Sequence, residues 1–113
     1  MQFSITNTTK QRVPRVKFDK IKDHILGKKY ELSLVLCGDK LSHKLNSTYR
    51  GRNKPTNVLS FSLSESSGEI FINLEKTKTF SVVELFIHGC LHLKGMLHSD
   101  TMGEIEKKIL HGA

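Results

Sequence analysis

Four short stretches of the chain alternate hydrophobic and polar residues, which is the pattern of strands with one buried face. They cover residues 2–6, 30–36, 58–63 and 69–74. The polar residues 64–68 between the last two predict a turn, so these two strands are expected to follow each other closely. Each strand needs a second layer to cover its apolar side.

Three other segments place apolar residues three and four positions apart, which predicts helices. The first covers residues 16–26 and ends at Gly27. The second is short and begins at Asp39 as its capping residue. The third covers residues 82–93 behind the capping residue Ser81, and its apolar side chains are numerous enough to bury most of its surface.

Strands and helices in this order predict an α+β fold, with one mixed sheet of about four strands and helices packed on it. Residues 101–110 carry further apolar residues at three- and four-residue steps. The 113 residues have room for one hydrophobic core, so we expect a single domain over residues 1–113.

The composition fits a globular protein with a basic surface. Hydrophobic residues make up 37% of the chain, and 18 Lys and Arg against 11 Asp and Glu give a net charge of +7. This excess favours encounter with a polyanion, although a basic surface alone is weak evidence. The sequence has no apolar run of about 20 residues and no signal-peptide pattern, so we expect a cytoplasmic protein without a membrane anchor. Its two cysteines stand in unlike contexts and do not indicate a disulfide.

Three histidines near the C-terminus are spaced as metal ligands, because residues 88–98 read HGCLHLKGMLH. A helix advances about 100° per residue, so His88 and His92 lie one turn apart on one face. Gly95 can end the helix in a left-handed conformation, and His98 can then approach from the following turn. Three imidazoles with a fourth position open to water are typical of catalytic zinc sites. We therefore expect one Zn²⁺ here rather than three unrelated polar residues.

Gly89 distinguishes this motif from that of the zinc proteases. Proteases with the pattern HExxHxxGxxH carry a Glu directly after the first histidine, where it serves as the general base. Gly89 has no side chain that could accept a proton. A protease is therefore disfavoured, and a water, the substrate or another group must take the proton.

The histidine motif resembles the signature of the YbeY family, bacterial metal-dependent endoribonucleases linked to ribosomal RNA maturation. A second block, LNSTYRGRNKPTNVLSF at residues 45–61, is similar to the family's Leu-Asn-x-x-Tyr-Arg opening and the Lys-Pro-Thr-Asp/Asn-Val-Leu-Ser-Phe sequence that follows it. Residues 68–72 give a third, weaker match. Two long motifs in the family's order are a specific signal. The chain is identified as a short member of this family.

The resemblance implies a zinc-dependent, single-strand-specific endoribonuclease in ribosomal RNA maturation and ribosome quality control. Its expected partners are single-stranded ribosomal RNA and the ribosome or ribosomal proteins. Arg50 aligns with the family's functional arginine, which makes it the expected catalytic residue, bound to the scissile or adjacent phosphate. Two alternatives stay open: a metal-dependent hydrolase of a peptide or small molecule, and a ribosome-associated factor whose metal is structural.

Arg50, Arg52, Lys54 and Tyr49 form a candidate substrate-binding segment. Arginine can bind two phosphate oxygens through parallel hydrogen bonds. Tyr49 can stack on an unpaired base, which suits single-stranded RNA. The alternative is a solvated basic loop, and for Arg52 and Lys54 the two interpretations are evenly balanced.

Three further positions near the motif carry expectations. The family usually has an Asp before the third histidine, where this chain has Leu97, so Asp100 takes over that role or activity is lower. Glu84, one turn before His88, either orients a ligand or caps the helix, and capping is the simpler role. Cys90 lies about 200° around the helix from His88 and is expected to point into the core.

Overall fold

Four strands and three helices follow one another in residues 2–95, the part of the chain that the computed structural model describes. They are β1 (Phe3–Asn7), α1 (Phe18–Leu26), β2 (Glu31–Cys37), α2 (Asp39–Arg50), β3 (Val58–Ser64), β4 (Ser67–Asn73) and α3 (Val82–Leu93), with a 3-10 turn at Leu74–Lys76. The predicted strands and helices within this range are confirmed, with small shifts at their ends. The predicted pattern at residues 101–110 lies outside the described residues.

The strands form one mixed sheet in the order β1-β2-β4-β3. β1, β2 and β4 are parallel, and β3 runs antiparallel to β4 at one edge. Leu34 in β2 pairs with Ile5 on one side and with Ile70 on the other. Apolar residues of neighbouring strands therefore lie side by side on one face. The predicted α+β fold with a four-stranded mixed sheet is confirmed.

The helices lie on both faces of this sheet. Phe18 of α1 and Phe86 of α3 meet edge to face with their ring centroids 5.0 Å apart, and both belong to the buried core that includes Leu34. Tyr49 of α2 instead contacts Phe61 of β3, a residue on the opposite face of the sheet. α1 and α3 thus cover one face together, and α2 lies on the other.

The start of α2 differs from the prediction. Asp39 is the first helical residue rather than the cap, and the capping position belongs to Gly38. The carboxylate of Glu75 accepts a hydrogen bond from the Asp39 backbone N–H at 2.6 Å, while the Asp39 carboxylate accepts one from the side chain of Asn73 at 2.8 Å. The capping role predicted for Asp39 is therefore wrong, because a residue far along the chain supplies it. The helix is also longer than predicted, at 12 residues.

Both cysteines are free thiols and fully buried. Burial, with the nearby carboxylates of Asp39 and Glu75, raises the pKa of Cys37 to about 11. Burial also raises the pKa of Cys90 far above its usual value. Each thiol stays neutral near pH 7 and packs as a small apolar side chain. The predicted inward orientation of Cys90 is confirmed.

Helix length bears on membrane insertion, because a membrane-spanning helix needs about 20 apolar residues. α2 and α3 have 12 residues each. Among the helices within residues 2–95, none has the length and apolar character to cross a membrane.

Candidate metal centre

α3 carries the first two predicted ligands, and neighbouring residues determine where it begins and ends. At its N-terminus the Ser81 hydroxyl accepts from the Glu84 N–H at 3.2 Å, and the Glu84 carboxylate accepts from the Ser81 N–H at 3.4 Å. This is a capping box, so Glu84 acts as a capping residue. Beyond the C-terminus Gly95 has a φ of 89°, and its N–H donates to the His92 carbonyl at 2.9 Å. The predicted cap at Ser81 and the stop at Gly95 are confirmed.

His88 and His92 lie one turn apart with their rings against each other. Their Nε2 atoms are 3.0 Å apart, and their ring centroids are 4.6 Å apart with an angle of 67° between the planes. Both residues are partly exposed. The two imidazoles therefore share one face of α3, as predicted, and solvent reaches that face.

The separation of the two Nε2 atoms fits a common zinc ion. Two nitrogens at about 2.0–2.1 Å from a tetrahedral zinc are about 3.3 Å apart. The observed 3.0 Å also suits a hydrogen bond from one ring to the other. Within residues 2–95 no group of three His, Cys, Asp or Glu side chains comes together as a metal site. The third predicted ligand, His98, lies outside the described residues, as do Leu97 and Asp100.

Gly89 lies where α3 packs tightly against the sheet. A Cβ atom at this position would lie 3.0 Å from two side-chain carbons of Ile70 and 3.0 Å from the hydroxyl oxygen of Ser60. The Ser60 hydroxyl also donates to the Gly89 carbonyl at 3.3 Å. The position at which zinc proteases carry their general base therefore has no room for a carboxylate in this chain.

Gly89→Glu should destabilise the chain by more than about 3 kcal/mol, because it forces a carboxylate without a partner into packed apolar space. Gly89→Ala should cost less, since the higher helix propensity of Ala offsets the clash by about 1 kcal/mol. Urea unfolding followed by circular dichroism measures both effects. Thr48→Glu, at an exposed position of α2, is the control for a new Glu on a helix. Wild-type stability in Gly89→Glu would contradict the tight packing.

The candidate substrate-binding segment begins with Tyr49 and Arg50, the last two residues of α2. Gly51, with a φ of 66°, ends the helix, and the Arg52 N–H donates to the Asn46 carbonyl at 3.2 Å. The side-chain amide of Asn46 donates to the Lys54 carbonyl at 2.8 Å. The side chains of Arg50, Arg52 and Lys54 remain exposed. The backbone is thus held in place while three cations face solvent, an arrangement that suits phosphate binding.

Two buried asparagines organise this region and were not singled out from the sequence. Asn46 holds the loop after α2, and the side-chain amide of Asn73 donates to Asp39 at 2.8 Å and to the Thr56 carbonyl at 3.1 Å. Asn73 therefore ties the end of β4 to α2 and to the segment before β3. The available signal was helical spacing, since Asn46 lies four residues after the buried Ser42. Prediction from the spacing of apolar residues misses polar residues at buried positions.

β3 connects the candidate base-stacking residue with the histidine helix. The Tyr49 side chain is 66% exposed, and its ring centroid lies 5.4 Å from that of Phe61. The preceding residue, Ser60, makes the hydrogen bond to Gly89 on the other face of the strand. Tyr49 and the helix that carries His88 are thus linked through two consecutive residues.

The match to a known protein family extends over almost the whole chain. Residues 2–112 match the family model described as Endoribonuclease YbeY. The chain is 38% identical to Endoribonuclease YbeY of Borrelia turicatae, over 78% of this chain and 76% of the relative, and 39% identical to that of Pelagibacter ubique, over 74% and 66%. Its fold is similar to the solution structure of TM1509 from Thermotoga maritima, with a TM-score of 0.59 and 27% identity over 94% of this chain and 85% of that one. The chain therefore belongs to the endoribonuclease YbeY family.

Proposed function

We propose that this chain is a zinc-dependent endoribonuclease that cleaves single-stranded ribosomal RNA in ribosome maturation and quality control. Membership of the family supports endoribonuclease chemistry. The observation that carries zinc dependence is the 3.0 Å separation of the His88 and His92 Nε2 atoms on one face of α3. We assign residues 1–113 to one catalytic domain that works in the cytoplasm.

His88, His92 and His98 would hold one Zn²⁺ through three imidazole nitrogens. With zinc bound, the site would gain a water of lowered pKa, a polarised phosphoryl oxygen, or both. The chain contributes a rigid platform, because the capping box fixes the start of α3 and the Ser60 hydroxyl holds its middle at Gly89. Imidazole side chains that are already held in place lose little conformational freedom when the substrate binds.

The substrate would be bound by residues 49–54, at the end of α2 and just after it. Arg50 would donate from two guanidinium nitrogens to two oxygens of the scissile or adjacent phosphate. Arg52 and Lys54 would contact neighbouring phosphates, and Tyr49 would stack on an unpaired base. Because Gly89 offers no carboxylate, proton transfer falls to a water or to the 2′-hydroxyl of the substrate.

The net charge of the chain supports a ribosomal partner. A charge of +7 on 113 residues attracts ribosomal RNA from a distance and favours encounter with the ribosome. Tyr49 can stack only on a base that is free of its complement, which favours single strands over duplexes. Ribosomal proteins beside such a strand would be further contacts.

The decisive experiment is cleavage of single- and double-stranded RNA in parallel, with and without a chelator, on protein of measured metal content. We expect about one zinc ion per chain and cleavage of the single strand alone. Chelation should abolish cleavage, leave the circular dichroism spectrum intact, and be reversed by added zinc. Cleavage by metal-free protein would contradict zinc dependence. Unfolding by the chelator would instead indicate a structural metal.

A further inference from the structure

Three aromatic rings form a row on the sheet face opposite α3. The ring centroids of Tyr49 and Phe61 are 5.4 Å apart, and those of Phe61 and Phe71 are 5.7 Å apart. In both pairs the rings meet edge to face, at 67° and 80°. We call these three residues the aromatic row.

The strand register shows which face the aromatic row occupies. Ser60 and Ile70 are paired across β3 and β4, and both side chains approach Gly89 of α3. Phe61 and Phe71 directly follow them, and successive residues of a strand point to opposite faces. The aromatic row therefore lies across the sheet from the histidine helix, and both are next to the edge strand β3.

This face of the sheet leaves large apolar side chains in contact with solvent. Tyr49, on α2, is 66% exposed. Phe61 and Phe71 are partly exposed. Neighbouring rings that reach solvent in this way offer a partly apolar surface to a partner.

The charges beside the aromatic row indicate what that partner is. Arg50 directly follows Tyr49, and Arg50, Arg52 and Lys54 are all exposed. Glu69 of β4 adds a carboxylate to the same face, but the chain as a whole carries +7. Exposed rings next to arginines suit a ligand that combines flat apolar bases with phosphates.

We propose that the aromatic row stacks unpaired bases of single-stranded RNA while residues 50–54 bind the phosphates that join them. This inference rests on the proposed function and extends substrate binding from Tyr49 to its neighbours Phe61 and Phe71. Stacking accepts every base, so the aromatic row would hold RNA without strong sequence preference. Because β3 is an edge strand, RNA bound to the aromatic row would pass around that edge to reach the histidine pair.

The test compares two probes, a fluorescein-labelled 2′-O-methyl single strand of about ten nucleotides and an abasic oligomer with the same number of phosphates, and a gel after binding checks that both stay intact. Tyr49→Ala should raise the Kd for the first probe about 5- to 150-fold, the effect of losing one stacked base. Tyr49→Phe should bind like wild type, and Phe61→Leu should show a smaller loss. The Kd for the abasic oligomer should stay unchanged in every variant. Phe80→Ala is the control, since Phe80 is an exposed ring outside the aromatic row.

An equal loss for both probes in Tyr49→Ala would overturn the inference, because the ring would then act through the fold or the charge. An unchanged Kd for both would also overturn it and would leave this face to a protein partner. The cleavage assay separates this inference from the proposed function. If the chain binds RNA through its bases but cleaves none, base stacking by the aromatic row is supported and the proposed endoribonuclease function is contradicted. If it cleaves RNA normally but binds both probes equally, only base stacking by the aromatic row is contradicted.

Discussion

Replacing His92 by Ala should weaken zinc binding by at least about 100-fold and abolish cleavage of single-stranded RNA. Losing a group that only orients a zinc ligand costs about 10- to 100-fold in affinity, so losing a ligand should cost no less than the upper end. The two remaining imidazoles would make a poor site. Zinc content after dialysis and competition with a chromophoric chelator measure the effect.

The matched control is His24→Ala, because His24 is an exposed histidine of α1 outside the proposed ligand set. It should retain both zinc and cleavage. Thermal unfolding of the metal-free proteins shows whether either substitution disturbs the fold. Full zinc occupancy in His92→Ala would rule out the proposal of three histidine ligands.

Arg50→Lys should reduce single-turnover cleavage roughly ten- to a thousandfold while the fold and the zinc content stay unchanged. Lysine keeps the positive charge but replaces a planar fork of donors with a single ammonium group. Arg50→Ala should lose at least as much activity. RNA binding by this variant should also depend less steeply on salt, since one phosphate contact is gone.

Lys44→Ala serves as the control for net charge. Lys44 is an exposed cation of the same helix, so its loss changes the charge by the same amount at another position. Metal content, thermal unfolding and cleavage are measured for all variants in one buffer. Unchanged cleavage in Arg50→Ala would indicate that the segment is a solvated basic loop with no role in cleavage. A collapse of thermal stability in both Arg50 variants would show a structural role instead.

Features that depend on neighbouring residues were predictable from the sequence. The capping box of α3 joins Ser81 to Glu84, and the end of the helix follows from Gly95. The shared face of His88 and His92 requires only the geometry of a helix and a spacing of four residues. The part of the candidate site on α3 was therefore predictable before any tertiary contact was known.

Features that depend on distant residues were not predictable. The cap of α2 comes from Glu75, which lies 36 positions after Asp39. Alternation along a strand shows which side is buried but not which strand lies beside it, so the place of β4 between β2 and β3 stayed open. The sequence also shows that Gly89 lacks a base, but its contact with Ile70 is visible only once α3 lies on the sheet.

The place of β4 in the sheet also determines how the two sides of the site come together during folding. β3 and β4 are joined by a short turn and can form a hairpin in about 1–10 μs, whereas β2 and β4 pair Leu34 with Ile70, 36 positions away. We therefore expect the hairpin to form early and to dock on β2 as a preformed unit. Ser60 and Phe61 both belong to this hairpin, so we expect its contacts with α3 and with Tyr49 to form together. A local opening that releases the hairpin would remove the support of the histidine helix and the base-stacking face together, as one cooperative unit.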